Sequence, residues 1–448
     1  MVVRIAGARL VTRRGHARPV TDDGEKSRGV QKVKNENVIE SVYSPERLHE
    51  AWQQVKTNAG AGGIDKMTVA EFGQREGELL SLIQERLQEG SYRFKPARRV
   101  LIPKEGTSKM RKLGIPTIMD RVVSQSMNLV LTEIFDPDFT ESNFGFRRGQ
   151  SQHKAIEHVR HAVAEGYDWC ASIDLQSSFD EIPHDPILRP VRRKIADEQL
   201  ITLLARALKA GVVVNGQFEK TTKGCPQGSP LSPLISNIVL NELDHELEKR
   251  GLRYARWADD FVILLKSERS AHRVGKGVCG YLEGTLGLPV NQEKSLVAPV
   301  KEVVFLGFQV LRSKIRVSKK AREKFKQRVR LLPKRNNPEI IADLNLYLRG
   351  WCGHFRIQEF RVIFRDLDAW IRSRLRSMQL KKWKNSRKFQ RLMHQAGLPL
   401  EQAQRTWVRM NKWQSVERRQ VRFVLNLEWF REQGLFFLHD FTLARLKG

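Results

Sequence analysis

The sequence predicts an α+β protein, in which a mixed body of strands and helices precedes a helical and strongly basic last third. Residues 171–175 alternate in polarity and residues 254–265 form two apolar runs around an acidic pair, so both segments predict strands. Apolar residues recur at helical spacing from Phe360 to Leu375, which predicts an amphipathic helix. The length of 448 residues corresponds to about three domains.

Positive charge is concentrated at the C-terminal side. The chain holds 79 Lys and Arg against 50 Asp and Glu, a formal charge of +29. Residues 311–448 contain 34 basic and 11 acidic residues, whereas residues 1–310 contain 45 and 39. A single basic run is usually a solvated face, but an excess of this size is typical of a surface that lies along phosphates. We therefore expect a nucleic acid as partner.

The composition also excludes several classes of protein. Hydrophobic residues make up 40% of the chain, and no run approaches the 18 apolar residues of a membrane span, so no membrane partner is expected. Cys170, Cys225, Cys279 and Cys352 lie far apart, which favours a reducing compartment over disulfides or a structural zinc site. Residues 1–19 lack the apolar core of a secretory signal. We expect a cytoplasmic protein.

The N-terminal region is predicted to be helical after a flexible start. Residues 1–40 are polar, basic and without period, which predicts a flexible leader. Ser44 is a good N-cap and Pro45 suits the first helical position, so a helix should begin here and end at the Gly- and Ala-rich residues 60–63. A second helix is predicted over residues 68–88. We therefore expect residues 41–95 to form a helical extension.

Acidic residues are placed where the predicted strands end. Asp174 closes the first strand, and Asp259 and Asp260 lie between the two apolar runs of residues 254–265. An Asp-Asp dipeptide alone is usually just a turn. If Asp174 and Asp259 converge, however, they would hold two Mg²⁺ ions about 3.5 to 4 Å apart, an arrangement of polymerases and nucleases.

Two further segments favour polymerisation. Lys104 and Arg111 would clamp a triphosphate, although two exposed basic residues without a ligand are an equally good interpretation of that pair alone. In residues 223–237, Gln227 offers both a donor and an acceptor, and Gly228 permits close backbone approach. This segment predicts a loop followed by a helix that together support a nucleotide.

With these segments the chain resembles the group II intron reverse transcriptases, also called intron-encoded maturases. The resemblance covers roughly residues 41–448, and its blocks occur in the order of the family. They are Gly114-Ile115-Pro116, Gly145-Phe146-Arg147, Ile182-Pro183-His184-Asp185 after Asp174, Pro226-Gln227-Gly228-Ser229-Pro230, Asp259-Asp260 and Phe305-Leu306-Gly307-Phe308. Residues 344–351 and 364–370 resemble the maturase domain of the family.

The resemblance implies a right-hand polymerase fold. Residues 96–310 would form the fingers and palm with an antiparallel sheet, and residues 311–388 the α-helical thumb or maturase domain. Residues 389–448 would form a basic, DNA-binding-like region at the C-terminal end. The chain resembles the compact type, because nothing in it supplies the ligands of the C-terminal His-Asn-His nuclease that many relatives carry.

The resemblance also assigns residues to roles. The catalytic metal-binding set would be Asp174, Asp259 and Asp260, with two Mg²⁺ ions as cofactors. Nucleotide binding would involve Lys104, Arg111, Phe179, which closes against the sugar 2′ position, and Gln227. Trp257, Ala258 and Gly228 would lie near the primer end. Two positions depart from the family, which usually has Tyr at the position of Trp257 and Pro at that of Arg148.

The implied function is RNA-directed DNA synthesis together with splicing of a group II intron. The partners would be the intron RNA, an RNA template, a DNA primer or target DNA, and deoxynucleoside triphosphates, in a bacterial cytoplasm at the nucleoid. One alternative is a domesticated relative that acts in DNA repair or phage defence. Another is a splicing-only RNA-binding maturase. The joint presence of the polymerase residues argues against it, namely Asp174, Asp259, Asp260, Gln227, Lys104 and Arg111.

Overall fold

A computed structural model describes most of the chain and divides it into two units. The described residues are 3–4, 34–103, 110–176, 182–225, 228–312, 314–332, 339–382, 386–395, 416–444 and the single positions 397, 399, 401 and 404. The units are Met1–Leu306 and Gly307–Gly448.

The first unit begins with helices Val38–Tyr43, Pro45–Asn58, Val69–Gln74 and Glu76–Gln88. Ser44 caps the second of them as predicted, because its Oγ accepts from the backbone N of Arg47 at 3.3 Å. The single helix predicted over residues 68–88 is wrong, since the backbone leaves helical geometry at Arg75, with φ −120° and ψ 26°. The shorter helix that results packs Phe72 on Trp52, with ring centroids 4.3 Å apart.

The larger sheet of this unit has five strands in the order β1-β9-β4-β8-β7. They are β1 Val3–Arg4, β4 Trp169–Asp174, β7 Arg253–Trp257, β8 Asp260–Leu265 and β9 Leu296–Pro299. Every pair is antiparallel. Helices Gln152–Ala164, Ser232–Lys249 and Glu268–Gly284 pack against these strands. Residues 261–264 of β8 are therefore buried on both faces.

A second sheet has four strands in the order β3-β2-β5-β6. They are β2 Ala97–Pro103, β3 Met110–Ile115, β5 Val212–Val214 and β6 Gln217–Glu219. The prediction of antiparallel pairing fails at one place, because β2 and β5 pair in parallel. A parallel pair requires a long connection, and here it contains the helices Ile118–Phe135, His184–Lys194 and Glu198–Leu208.

One apolar core joins the parts of the first unit. It extends from Val38 in the first helix to Val297 on β9 and includes Leu131, Leu243 and Phe261, which are fully buried. The N-terminal helices and the larger sheet are thus held by common packing. Among the described residues, no helix is both long and apolar enough to cross a bilayer.

The second unit starts with a hairpin of β10 Phe308–Leu311 and β11 Lys314–Val317. Helices Lys319–Leu331, Ile340–Phe355, Arg361–Lys382, Ser386–Gln395, Arg419–Val424, Leu427–Glu432 and Leu438–Ala444 follow. The predicted stripe is buried from Ile363 to Leu375, whereas its first residue, Phe360, is half-buried. Arg376 on the same helix is buried as well, and its Nε donates to the carbonyl O of Leu425 at 3.0 Å.

Candidate active site

Acidic residues from two strands and one turn meet at one end of the larger sheet. Asp174, the last residue of β4, pairs with Asp260, the first residue of β8. Asp260 also lies opposite Trp257, the last residue of β7. Opposed residues on neighbouring strands share one face, with Cα atoms about 4.5 to 5.5 Å apart. Trp257, Asp260 and Asp174 therefore form a row across three strands, and Asp259 lies beside it.

The turn between β7 and β8 consists of two residues, Ala258 and Asp259. Asp260 already belongs to the strand, so only one carboxylate of the acidic pair lies in the turn. Ala258 has φ +56°, a left-handed conformation that glycine adopts most easily in two-residue hairpins. For alanine this conformation costs roughly 1 to 2 kcal/mol. The surrounding contacts must hold the turn in place.

A buried ion pair supplies part of that support. Arg256 and Asp244 are fully buried, and Arg256 Nε donates to Asp244 Oδ1 at 2.8 Å. The Nη1 atom of Arg256 donates to Asn237 Oδ1 at 2.9 Å and to the carbonyl O of Ala258 at 3.1 Å. One guanidinium therefore connects helix Ser232–Lys249 to the turn that carries Asp259.

Gly145 supports the same turn from another direction. A Cβ atom at this position would lie 2.4 Å from the backbone N of Ala258, which is too short for any side chain. The carbonyl O of Gly145 accepts from Asn237 Nδ2 at 2.8 Å. Phe144 N donates to the carbonyl O of Arg256 at 2.9 Å. Only glycine allows the loop to approach the turn this closely.

The carboxylates lie at a cleft of about 1380 Å³, which Asp174 and Asp259 line. This volume exceeds the roughly 300 to 1,000 Å³ of small-molecule pockets. Gly228 also lines the cleft, and a Cβ there would lie 2.3 Å from the carbonyl O of Gly114. Basic residues contribute to the lining, namely Arg99, Arg111, Lys112, Arg121, Lys223 and Lys294. The size and the charge of the cleft suit a long anionic ligand.

Asp260 has an unusual acidity for a carboxyl group. Its pKa is raised to about 7, mainly because surrounding protein atoms remove water from the carboxylate. The negative charges of Asp259 and Asp174 raise the pKa further. Part of the residue is nevertheless exposed to solvent. Lys294 opposes the rise in pKa. Its Nζ donates to Asp174 Oδ2 at 3.0 Å. The end of the sheet therefore favours a bound cation.

Comparison with known proteins identifies the family. Residues 102–310 match the model of the reverse transcriptase (RNA-dependent DNA polymerase) family, and residues 319–396 match the maturase-specific domain of group II introns. Protein YkfC of Escherichia coli K12 is 32% identical over 322 residues, which cover 63% of this chain and 84% of YkfC. The chain belongs to the group II intron reverse transcriptases.

Other relatives are longer than the segment they share with this reverse transcriptase. The group II intron-encoded protein LtrA of Lactococcus lactis is 27% identical over 334 residues, 60% of this chain and 55% of LtrA. Nuclear intron maturase 4 of Arabidopsis thaliana is 24% identical over 215 residues, 48% of this chain and 25% of that protein. The three acidic residues lie within the residues matched by the polymerase model. The domain that contains them is therefore an RNA-directed DNA polymerase domain.

The carboxylates of the reverse transcriptase fit a divalent cation by their chemistry. Mg²⁺ takes oxygen ligands, usually one or two carboxylates together with substrate phosphates. The Lys294 ammonium on Asp174 and the raised pKa of Asp260 both show that positive charge is favoured here. No group of three or more His, Cys, Asp and Glu side chains encloses a metal position in the described part of the chain. Mg²⁺ bound by these carboxylates would complete its coordination with water and substrate phosphates.

The predicted site residues of the reverse transcriptase differ in how far the structure describes them. Lys104, Phe179 and Gln227 lie outside the described residues, so their roles stay predictions. Arg111 lies on β3 opposite Ile102 and lines the cleft together with Gly228. Trp257 and Ala258 adjoin the acidic residues at the end of the larger sheet. The described members thus lie around one end of that sheet and its cleft.

Lys294 and the ion pair of Arg256 with Asp244 were not predicted from the sequence. Arg256 had a detectable signal, since a charged residue lies between apolar residues of a strand and buried arginines are almost always paired. Lys294 had none. Its contact depends on a loop that folds back over β4, where Asn291 N donates to the carbonyl O of Asp174 at 2.8 Å.

We expect the stability of the metal-free protein to contain a component that falls as pH rises from about 4 to about 7. The folded-state pKa of Asp260 is about 7, whereas an unfolded aspartate has a pKa of about 3.9. The folded state binds the proton more tightly in this window, so raising the pH disfavours folding. Asp260→Asn should remove the component. Thermal unfolding of both proteins in EDTA measures it, and a pH-independent difference in Tm would contradict the expectation.

Proposed function

We propose that the chain copies RNA into DNA from a DNA primer and that its basic C-terminal region binds group II intron RNA to assist splicing. The observation that carries the proposal is the meeting of Asp174, Asp259 and Asp260 beside a large cleft lined by basic residues. The cleft is larger than the roughly 300 to 1,000 Å³ of a small-molecule pocket, which suits a nucleic-acid substrate. This activity would place the protein with DNA, at the nucleoid of a bacterial cell.

The residues of the chain would divide the chemistry of nucleotide addition among them. Asp174 and Asp259, with Asp260 beside them, would hold two Mg²⁺ ions, which when bound activate the primer 3′-hydroxyl and stabilise the leaving oxygen. Arg111 on the cleft wall, and by prediction Lys104, would bind the triphosphate. The hydroxyl oxygen attacks the α-phosphate and pyrophosphate leaves. Positioning and charge neutralisation supply most of the acceleration.

The second unit supports the proposed binding of intron RNA. Helix Lys319–Leu331 buries Phe325 and Val329 on one side. Its other positions are rich in basic residues, namely Lys319, Lys320, Arg322, Lys324, Lys326, Arg328 and Arg330. Lysine and arginine bind phosphates and release counterions, which favours association with any nucleic acid. The match of residues 319–396 to the maturase-specific domain supports intron RNA as the partner.

Two assays on the purified full chain test the proposal. One measures extension of a DNA primer on an RNA template with deoxynucleoside triphosphates and Mg²⁺. The other measures splicing of a precursor RNA made from the DNA that flanks the gene. Both activities together would support the proposal. Extension without any effect on splicing would favour a domesticated enzyme of DNA repair or phage defence, and splicing without extension would favour a splicing-only maturase.

We expect Phe179→Ala to increase incorporation of ribonucleotides. The ring of Phe179 is predicted to exclude the 2′-hydroxyl of a ribonucleotide. Loss of the ring should therefore lower the preference for dATP over ATP by roughly tenfold or more. The ratio of kcat/KM for the two nucleotides measures this preference. Phe179→Tyr keeps a ring and serves as the control. An unchanged ratio in Phe179→Ala would refute the assignment.

A further inference from the structure

Phe146 is an exposed aromatic residue in a strained conformation. It is 57% exposed and has φ +56°, a region of backbone space that bulky side chains rarely adopt. Strain of this kind persists only where the surrounding structure enforces it, and it is common at functional sites. An exposed ring contributes little to the core. Phe146 is therefore a candidate for direct contact with a substrate.

Both neighbours of Phe146 are fixed. Gly145 lies against the backbone of Ala258 in the catalytic turn. Arg147 Nε donates to Asp136 Oδ1 at 2.8 Å, and its Nη1 donates to the carbonyl O of Thr140 at 2.6 Å. The residue between these two anchors has no freedom to relax. The fold thus keeps the ring of Phe146 in solvent next to the turn.

The ring of Phe146 lies beside that of Trp257, with centroids 6.3 Å apart and planes at 38°. Because Trp257 is opposite Asp260, a continuous series leads from Phe146 to the carboxylates. Neither ring is among the residues that line the cleft, whereas Arg111 and Asp174 are. Asp259, in the turn between β7 and β8, lines the cleft as well. The two rings lie next to this turn, outside the lining of the cleft, and a primer strand that reaches the carboxylates along β7 would pass them.

We propose that Phe146 and Trp257 form an aromatic pair that binds the last nucleotides of the primer, an inference that rests on the proposed polymerase function. A nucleic-acid strand advances about 3.4 Å per nucleotide, so a primer that ends at the carboxylates passes both rings within a few nucleotides. Aromatic rings stack on bases without regard to sequence. Arg148 is exposed on the same loop and supplies positive charge for the phosphates. This charge favours a nucleic acid over an apolar peptide.

The variant Phe146→Gly separates the role of the ring from that of the backbone. Glycine adopts a φ of this sign without strain, so the Tm of the full chain should be unchanged or higher. Loss of the ring should weaken binding of a labelled RNA template–DNA primer duplex by roughly tenfold. Fluorescence anisotropy without nucleotides gives the Kd, so this result does not depend on catalysis.

Two further variants serve as controls. Phe146→Trp keeps an aromatic ring and should restore the Kd of the wild type. Phe218 on β6 is 58% exposed, which is close to the exposure of Phe146. Phe218→Ala should leave the Kd unchanged.

Three outcomes would overturn the proposal. The first is an unchanged Kd in Phe146→Gly, and the second is an equal loss of affinity in Phe218→Ala. The third is a drop in Tm of more than about 5 °C in Phe146→Gly, because the ring would then be structural. A wild type that binds the duplex but extends no primer would instead refute the polymerase function, and the two failures are thereby distinguished.

Discussion

Asp259→Ala is expected to abolish DNA synthesis while leaving RNA binding nearly intact. Asp259 lies in the two-residue turn at the wall of the cleft, within reach of the row formed by Asp174 and Asp260. Removing its carboxylate removes one of the side chains that would hold the two proposed metal ions. The rate of primer extension should fall at least about a thousandfold, which corresponds to ~4 kcal/mol in the activation free energy.

The control for this variant is Asp168→Ala. Asp168 is an exposed residue that immediately precedes β4. It therefore lies at one end of this strand, and Asp174 lies at the other end. Its removal should leave the rate of extension unchanged. Filter binding of the RNA template should give the same Kd for the wild type and both variants. Residual synthesis above a few per cent in Asp259→Ala would refute the metal-binding role of this residue.

Asp244→Ala is expected to destabilise the first unit and to slow polymerisation. The variant leaves the fully buried guanidinium of Arg256 without its carboxylate partner. Breaking a buried ion pair in this way typically costs about 3 to 5 kcal/mol. The same guanidinium holds the carbonyl O of Ala258, so the turn that carries Asp259 should lose its fixed position as well. Denaturant unfolding and primer extension measure the two effects.

A double variant separates the charge from the packing. Asp244→Leu combined with Arg256→Leu removes both charges, and replacement of a buried pair by apolar residues is often close to neutral. The double variant should therefore be more stable than either single variant. Its polymerase activity should nevertheless stay low, because the hydrogen bond from Arg256 Nη1 to the carbonyl O of Ala258 is lost. The single variants for this comparison are Asp244→Leu and Arg256→Leu. If the loss of stability in the double variant equalled the sum of the losses in these two, the pair would not interact as the structure indicates.

Local patterns were sufficient to predict the strands that carry the acidic residues. The alternation around Ser172 and the apolar run after Asp260 each depend only on neighbours in sequence, and both strands form as predicted. The N-cap at Ser44 was predictable for the same reason. The resemblance of ordered motifs then supplied the right-hand fold, which no periodicity in the chain specifies.

Contacts between distant residues could not be predicted in this way. The closeness of Gly145 to Ala258 and the ion pair of Lys294 with Asp174 join residues more than a hundred positions apart. Helical spacing correctly predicted the apolar stripe of residues 363–375, but it gave no information on the segment around Leu425, which contacts Arg376. Periodicity identifies the face of a helix, whereas tertiary packing decides what that face contacts.

The position of β4 at the centre of its sheet has a consequence for synthesis of the chain. Both neighbours of this strand, β8 and β9, come later in sequence. About 90 residues separate Asp174 from the start of β8. Translation of this segment takes roughly 5 to 20 s. Throughout that interval both edges of β4 are open to pairing with other chains on the polysome. A ribosome-bound fragment that ends before β8 therefore combines a high risk of aggregation with no capacity to add nucleotides.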